Sequence, residues 1–233
     1  MKTHIYLAGD STVQSFDAEK MPYFTGWGQV LIEVLGSGEQ KEIVHPEAEF
    51  PQVTVYENEA FVIHNYAMAG RSSKTFLEEG RFEPMISKMQ AGDYLLMQFG
   101  HNDANKEKAE RYLTPEAYKE KLMEMIEPAR KKGVKCVLVS PIAMREFDEH
   151  GNCKISFPEY RQAMIELAER ENLFFLDLGK ATSELCTKLG PEECKNLFLW
   201  VDGREDNAHL QRLGALKFAV LVGQLLDSEK VFC

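Results

Sequence analysis

The chain has 233 residues, of which 44% are hydrophobic and 27% charged, and its net charge at pH 7 is -10. This length and composition are typical of an ordinary globular protein and predict one domain over residues 1–233. The acidic balance excludes a general binder of nucleic acid or anionic membranes, because both need clustered Lys and Arg. The apolar run Ile5–Ala8 is too short for a signal peptide, and no segment approaches the roughly 20 apolar residues of a membrane span.

The cysteines are odd in number, widely spaced and without a C-x-x-C pair. This pattern favours reduced thiols in a cytoplasmic protein over a disulfide framework or a metal site. The five are Cys136, Cys153, Cys186, Cys194 and Cys233.

Short apolar runs along the chain predict five strands. They are mostly continuously apolar rather than alternating, as expected for parallel strands that helices cover on both faces. The predicted strands are Ile5–Ala8, Ala60–Tyr66, Tyr94–Phe99, Val134–Ser140 and Leu173–Asp177. Between the first two lies the polar segment Gly36–Glu59, which contains Pro46 and Pro51 and is predicted to be an insertion with a short extra hairpin.

Helical patterns alternate with the later strands. Thr114 followed by Pro115 is a helix start signal, and an apolar stripe from Tyr118 to Ala129 continues it until Gly133. Two further long helices are predicted over 157–171 and 210–226. Strand–helix alternation of this kind predicts an α/β protein with a doubly wound sheet, whose functional site lies beyond the carboxyl ends of the strands.

Four polar clusters lie just after strands or near the last helix. Each alone is common turn or cap chemistry. They are Gly9-Asp10-Ser11-Thr12, Gly70-Arg71-Ser72-Ser73, Gly100-His101-Asn102-Asp103 and Asp206-Asn207-Ala208-His209, the last predicted to open the C-terminal helix.

Together, the four clusters supply the parts of an acyl-transfer site. A serine hydroxyl such as that of Ser11 needs a base, and the base needs a carboxylate that orients it. His209 and Asp206, three residues apart, face the same way on a tight turn or first helical turn. The backbone N–H groups of Ser11 and Gly70 and the amide of Asn102 are candidate donors to an oxyanion.

In this order, the four clusters resemble the sequence blocks of the SGNH (GDSL-type) hydrolase superfamily. A closer resemblance, to the rhamnogalacturonan acetylesterases, runs nearly end to end. It rests on the four blocks and on Tyr6-Leu7-Ala8-Gly9-Asp10-Ser11-Thr12, Gly26-Trp27-Gly28, Ala69-Gly70-Arg71-Ser72-Ser73, Glu79-Gly80-Arg81-Phe82, Ala91-Gly92-Asp93-Tyr94 and Phe99-Gly100-His101-Asn102-Asp103.

The resemblance implies a flavodoxin-like three-layer α/β/α sandwich, here with a five-stranded, mainly parallel sheet, and metal-free removal of acetyl groups from a pectin-type sugar chain. It implies Ser11 as nucleophile, Asp206 and His209 as its triad partners, and an oxyanion hole formed by Ser11, Gly70 and Asn102. Compared with the fungal secreted relatives, the segment 36–59 looks longer and a signal peptide is missing. Both departures predict a bacterial-type, intracellular enzyme that acts on imported oligosaccharides.

Other residues compete for these roles. Asp202 also precedes His209, but by seven residues, so Asp206 is preferred as the partner. Ser72 is half of a G-x-S-x-G elbow, but Lys74 takes the place of the last glycine, so Ser72 is predicted to cap the helix that follows. Asp10 and Asp103 could be acid/base carboxylates but are preferred as buried residues that fix the turns.

A metal cluster is the least favoured alternative. His64, His101 and His209 lack the spacing of metal ligands, and Gly100-His101-Asn102-Asp103 inverts the His/Asn order of the G-N-H-D box of metallophosphoesterases. The prediction is therefore a site without metal or cofactor.

An acidic protein needs local cations to bind a galacturonate-bearing chain. Near the predicted rim, Arg71, Lys74 and Arg204 are the candidates, with Arg81 beside them. Trp200 is a candidate for stacking on a sugar ring, although packing is an equal alternative, and Trp27 is predicted to be structural.

The predicted partner is an acetylated oligosaccharide, and neither nucleic acid nor a membrane. Two alternatives stay open. One is another SGNH esterase, such as a xylan-type acetylesterase, a lysophospholipase or a thioesterase. The other is a carbohydrate-binding protein without catalysis, which would have no need of the triad. The sequence does not predict the oligomeric state.

Overall fold

The structure, a computed structural model, describes residues 2–44, 50 and 52–232. Cys233 and the two prolines of the predicted insertion, Pro46 and Pro51, lie outside the described residues.

A central sheet has the strand order β2-β3-β4-β1-β5-β6-β7. The five strands from β4 to β7 in that order run parallel, whereas β2 and β3 pair antiparallel with their neighbours. A separate antiparallel pair joins β8 and β9. The strands are β1 (Thr3–Gly9), β2 (Lys41–Val44), β3 (Thr54–Glu57), β4 (Phe61–Asn65), β5 (Tyr94–Gln98), β6 (Lys135–Val139), β7 (Phe174–Leu176), β8 (Phe198–Leu199) and β9 (Asp206–Leu210).

Helices cover both faces of the sheet. They are α1 (Trp27–Val30), α2 (Ser73–Glu78), α3 (Phe82–Lys88), α4 (Pro115–Lys131), α5 (Pro158–Glu171), α6 (Leu178–Cys194) and α7 (Arg212–Ser228). Helices α1, α6 and α7 pack on one face, and α2 to α5 pack on the other. The predicted three-layer α/β/α sandwich is confirmed.

The central strand β1 shows why its sequence is apolar without alternation. Ile5 and Leu7 point into the core beneath α1, α6 and α7, while Tyr6 and Ala8 point into the opposite core. Successive side chains of a strand point to opposite faces, so a strand with a helical layer on each side can bury consecutive residues, as β1 does from Ile5 to Gly9.

The sheet has seven strands, so the expected five-stranded sheet is wrong by two. Both additional strands come from the predicted insertion 36–59, where β2 and β3 extend the sheet antiparallel beyond β4. Strand β3 buries alternate residues, Thr54 and Tyr56, and Lys41, Glu42 and Ile43 of the outer strand β2 are exposed. A half-exposed edge of this kind lacks the continuous apolar run that marks the inner strands.

The segment 206–210 does not open the C-terminal helix as predicted. It forms β9, and helix α7 begins at Arg212 after Gln211, whose extended backbone precedes the first turn. The predicted bounds 210–226 are therefore shifted to 212–228. The segment pairs instead with β8, where Phe198 lies opposite Leu210 and Leu199 opposite Asp206.

Candidate active site

The candidate site lies at the carboxyl edge of the sheet, where β4, β1 and β5 end side by side. Ser11 follows β1, Gly70 follows β4 and Asn102 follows β5. The N–H of Met68 donates to the carbonyl of Gly9 over 3.0 Å, which ties the glycine loop to the end of β1. Residues distant in sequence therefore meet because their strands are neighbours.

A buried carboxylate shapes the turn that carries Ser11. Asp10 Oδ1 accepts hydrogen bonds from the N–H and the hydroxyl of Thr12, at 2.9 and 2.8 Å. Gly9 is required before this turn, because a Cβ would lie 2.7 Å from the carbonyl oxygen of Gln98. Ser11 is half-buried, and neither its hydroxyl nor its N–H bonds to another residue within 2–44, 50 and 52–232. Both groups are thus available to a ligand.

Gly70 and Asn102 supply further donors beside this turn. Gly70 has a φ of +77°, a backbone conformation that favours glycine. Its N–H donates to no residue of the described chain. The Asn102 amide donates one hydrogen to the carbonyl of Arg71 over 3.1 Å. The second hydrogen of that amide is left for another acceptor.

A short segment, residues 25–27, connects the Ser11 turn to the strand that carries His209. The N–H of Thr25 donates to the carbonyl of Leu210 over 3.1 Å, and the N–H of Trp27 donates to that of Thr12 over 2.8 Å. Trp27 itself is buried, as its predicted structural role requires. The strand of His209 is thereby held against the serine turn.

His209 and Asp206 form a hydrogen-bonded pair. Nδ1 of His209 lies 2.7 Å from Asp206 Oδ2, and the N–H of His209 donates to Oδ1 over 2.9 Å. Burial would lower the pKa of His209, but the hydrogen bond and charge of Asp206 outweigh it and raise that pKa. Burial likewise opposes ionisation of Asp206, yet its hydrogen bonds from His209 hold the carboxyl pKa far below its usual range. The pair leaves His209 Nε2 to face another group.

The preference for Asp206 over Asp202 as the partner of His209 agrees with this geometry. Asp202 lies on an exposed turn with a φ of 56°, and its charged neighbour is Arg204 at 3.9 Å.

Asp206→Asn is expected to lower kcat by about 10⁴-fold, because an amide no longer orients the imidazole or stabilises its protonated form. Only neutral His209 accepts a proton, so kcat/KM should fall as the pH falls through its raised pKa, above 6.5. Loss of the carboxylate should move this acidic limb to lower pH. Stopped assays of acetyl-ester hydrolysis across pH check both effects. Asp202→Asn is the matched control, and an unshifted limb in Asp206→Asn would contradict the pairing.

The two buried aspartates fix turns, as predicted. Asp103 accepts from the N–H and hydroxyl of Ser73 at 2.8 and 2.6 Å, and from the N–H of Gly100 at 3.0 Å. Burial raises the pKa of Asp103 to about 7. Burial opposes ionisation of Asp10 too, but the charge of His101 lowers the pKa of that carboxyl. His101 Nδ1 lies 3.3 Å from Asp10 Oδ2.

Two of the four predicted substrate-binding residues are already engaged within the protein. Arg71 holds Glu79 through Nε at 3.0 Å and the carbonyl of Ala69 through Nη1 at 2.8 Å. Trp200 donates from its indole to Asn207 over 2.9 Å, and the guanidinium of Arg145 lies 4.6 Å from its ring centre. These contacts favour the packing alternative for Trp200.

The other two are less constrained. Lys74 lies in the first turn of α2 and forms no ion pair with the residues that the structure describes. Arg204 is exposed, and its guanidinium lies 5.6 Å from the ring centre of the exposed Tyr23. Ser72 caps α2, accepting the N–H of Thr75 over 3.2 Å, which confirms the cap interpretation.

Three residues that lie near the site were not predicted from the sequence to belong to it. The ring centre of Phe24 lies 5.4 Å from that of His209, and the ring of His101 contacts the carboxylate of Asp10. Arg111, in the loop after β5, donates to the side chain of Asn102. Of the three, only His101 had a signal in the sequence, because it belongs to the third polar cluster.

Two further findings concern metal ions and membranes. Across residues 2–44, 50 and 52–232, no three His, Cys, Asp or Glu side chains are grouped to hold a metal ion. None of the described helices is long and apolar enough to cross a membrane.

Comparison with known proteins places these features in a family. The chain is 37% identical over 226 residues to the probable rhamnogalacturonan acetylesterase YesY of Bacillus subtilis, covering 96% of this chain and 92% of that protein. It is 34% identical to the rhamnogalacturonan acetylesterase RhgT of the same organism, covering 96% and 89%. The crystal structure of Bacillus subtilis YxiM is similar with a TM-score of 0.79 and 27% identity, covering 99% of this chain and 58% of that chain.

The family model of the GDSL-like lipases and acylhydrolases matches residues 5–221, which include every part of the candidate site. The chain belongs to the GDSL-like lipase/acylhydrolase family.

Proposed function

We propose that the protein is a serine esterase that removes O-acetyl groups from rhamnogalacturonan-derived oligosaccharides through an acetyl-serine intermediate. The observation that carries the proposal is the His209–Asp206 pair, held at the sheet edge where the Ser11 hydroxyl makes no hydrogen bond to the part of the chain that the structure describes. The family supports ester hydrolysis, and the two relatives named for rhamnogalacturonan acetyl esters support this substrate class.

In the first step, Ser11 Oγ attacks the ester carbonyl carbon while His209 Nε2 takes the hydroxyl proton. The tetrahedral intermediate carries a negative oxygen. The N–H groups of Ser11 and Gly70 and the unused amide hydrogen of Asn102 are the proposed donors to that oxygen. The intermediate then expels the sugar hydroxyl, which receives its proton from His209.

In the second step, water replaces the sugar. His209 takes a proton from the water as its oxygen attacks the acetyl carbon, and the same three donors hold the new oxyanion. Collapse breaks the bond to Ser11 Oγ, returns the proton to the serine and releases acetate. Asp206 stays ionised throughout and balances the charge of the imidazolium, as its depressed pKa requires.

We further propose that Arg204 and Lys74 provide the local positive charge for an acidic sugar. Arg204 is exposed beside Tyr23, its contact to the exposed Asp202 is long at 3.9 Å, and Lys74 forms no ion pair among the described residues. The four described cysteines are free thiols, which supports the proposed cytoplasmic location.

The substrate proposal predicts faster acetate release from acetylated rhamnogalacturonan oligosaccharides than from acetylated xylan at equal ester concentration. Enzymatic acetate quantification on both substrates measures this preference, with Ser11→Ala as the blank. A p-nitrophenyl ester series should lose rate steeply beyond acetate. Preference for xylan would favour the xylan-type alternative, a preference for long acyl chains would favour a lysophospholipase or thioesterase, and no hydrolysis would leave a binding protein.

A further inference from the structure

Arg111 joins the two oxyanion donors that lie outside the Ser11 turn. Its Nη1 donates to the side-chain oxygen of Asn102 over 3.3 Å. The same guanidinium covers Gly70, since a Cβ built on that residue would lie 3.3, 3.5 and 3.6 Å from Nη1, Cζ and Nη2. A side chain at position 70 would therefore press on the plane of Arg111.

This contact determines which way the Asn102 amide points. The amide nitrogen donates to the carbonyl of Arg71, and the amide oxygen accepts from Arg111. A flipped amide would place two oxygens against each other at Arg71 and two donors against each other at Arg111. Only the unflipped amide keeps its second hydrogen for the oxyanion.

The loop that carries Arg111 is fixed at both ends. The N–H of Leu113 donates to the carbonyl of Asp103 over 3.0 Å. The hydroxyl of Tyr160 lies 3.2 Å from that carbonyl oxygen and 2.5 Å from the carbonyl oxygen of Leu113. A carboxylate oxygen of the exposed Glu110 lies 3.6 Å from Arg111 Nε and leaves the contact to Asn102 intact.

We infer that Arg111 is a positioning residue that orients the Asn102 amide toward the oxyanion. This inference rests on the proposed function. Because Arg111 acts through Asn102, the loss on removing it cannot exceed the loss on removing Asn102 itself.

A double-mutant cycle tests the inference. Asn102→Ala should lower kcat for p-nitrophenyl acetate by about 10²–10³-fold, the cost of one oxyanion donor. Arg111→Met should lower kcat by about 10-fold or more and leave KM nearly unchanged, because the interaction serves the transition state. In the Asn102→Ala background the same change should cost less than about 3-fold. Arg130→Met is the matched control, since Arg130 lies on α4 and pairs with Glu171.

Chemical rescue separates positioning from folding. Millimolar guanidinium ion should restore part of the kcat of Arg111→Ala and leave the kcat of Arg130→Ala unchanged. Unaltered melting temperatures of both variants exclude loss of the fold. Full kcat in Arg111→Met, an equal loss in both backgrounds of the cycle, or no rescue would overturn the inference. If Ser11→Ala is inactive while Arg111→Met is fully active, this inference alone fails. If Ser11→Ala stays active, the proposed function fails as well.

Discussion

Replacement of Ser11 by alanine is expected to lower kcat for p-nitrophenyl acetate by about 10⁶-fold, because no other group can form the acetyl-enzyme. The Ser11 hydroxyl makes no hydrogen bond with the described residues, so its removal breaks no contact that stabilises the fold. Initial rates and the melting temperature of the purified variant measure the two effects.

Ser72→Ala is the matched control for the Ser11 variant. Ser72 caps α2, and its loss should cost about 0.5–2 kcal/mol of stability without changing the chemistry. We therefore expect a lower melting temperature with near-normal kcat. The reverse pattern, an active Ser11→Ala and an inactive Ser72→Ala, would show that Ser11 is not the nucleophile.

Replacement of His209 by alanine is expected to lower kcat by a similar factor, about 10⁶-fold, because the Ser11 proton then has no acceptor. Serine and base act as one unit, so the double variant Ser11→Ala/His209→Ala should be no worse than either single variant. The rates of the three variants, determined with the same ester, test this non-additivity.

Free imidazole should restore part of the activity of His209→Ala, and none of the activity of Ser11→Ala. His150→Ala, at an exposed histidine, is the control and should keep the full rate. Substantial unrescued activity in His209→Ala would mean that another group accepts the proton.

The inner sheet could be predicted because each of its strands is covered on both faces. A continuous apolar run such as Ile5–Ala8 follows directly from that environment. The outer strands β2 and β3 could be predicted only as a short extra hairpin, because the edge of the sheet is half-exposed and neither strand has a continuous apolar run. The single-domain organisation stays a prediction.

The segment 206–210 shows how pairing with a neighbouring strand can override a local helix signal. The spacing of Asp206 and His209 predicted that they face the same way on a tight turn or a first helical turn, and the two side chains do form a hydrogen bond. In the structure, residues 206–210 pair with β8, and the Asp206 carboxylate accepts the N–H groups of Ala208 and His209 within that strand. The pair is correct although its secondary structure differs.

Arg111 marks the limit of reading the site from sequence. Its approach to Gly70 depends on a loop that Tyr160, on α5, holds in place. Nothing in the residues next to Arg111 indicates this contact, because it arises from the packing of α5 against the loop after β5. Conversely, Arg71 and Trp200 have sequence positions that predict substrate binding, but hydrogen bonds within the protein already engage their side chains.

The central claim is that Ser11 carries the acetyl group, and active-site labelling tests it most directly. The protein is treated with a fluorophosphonate, digested and mapped by mass spectrometry, with Ser11→Ala beside it. We predict a single phosphonylated peptide that contains Ser11, loss of activity in proportion to labelling, and no label in the variant. A label on Ser72 or another residue, or full activity after complete labelling of Ser11, would contradict the claim.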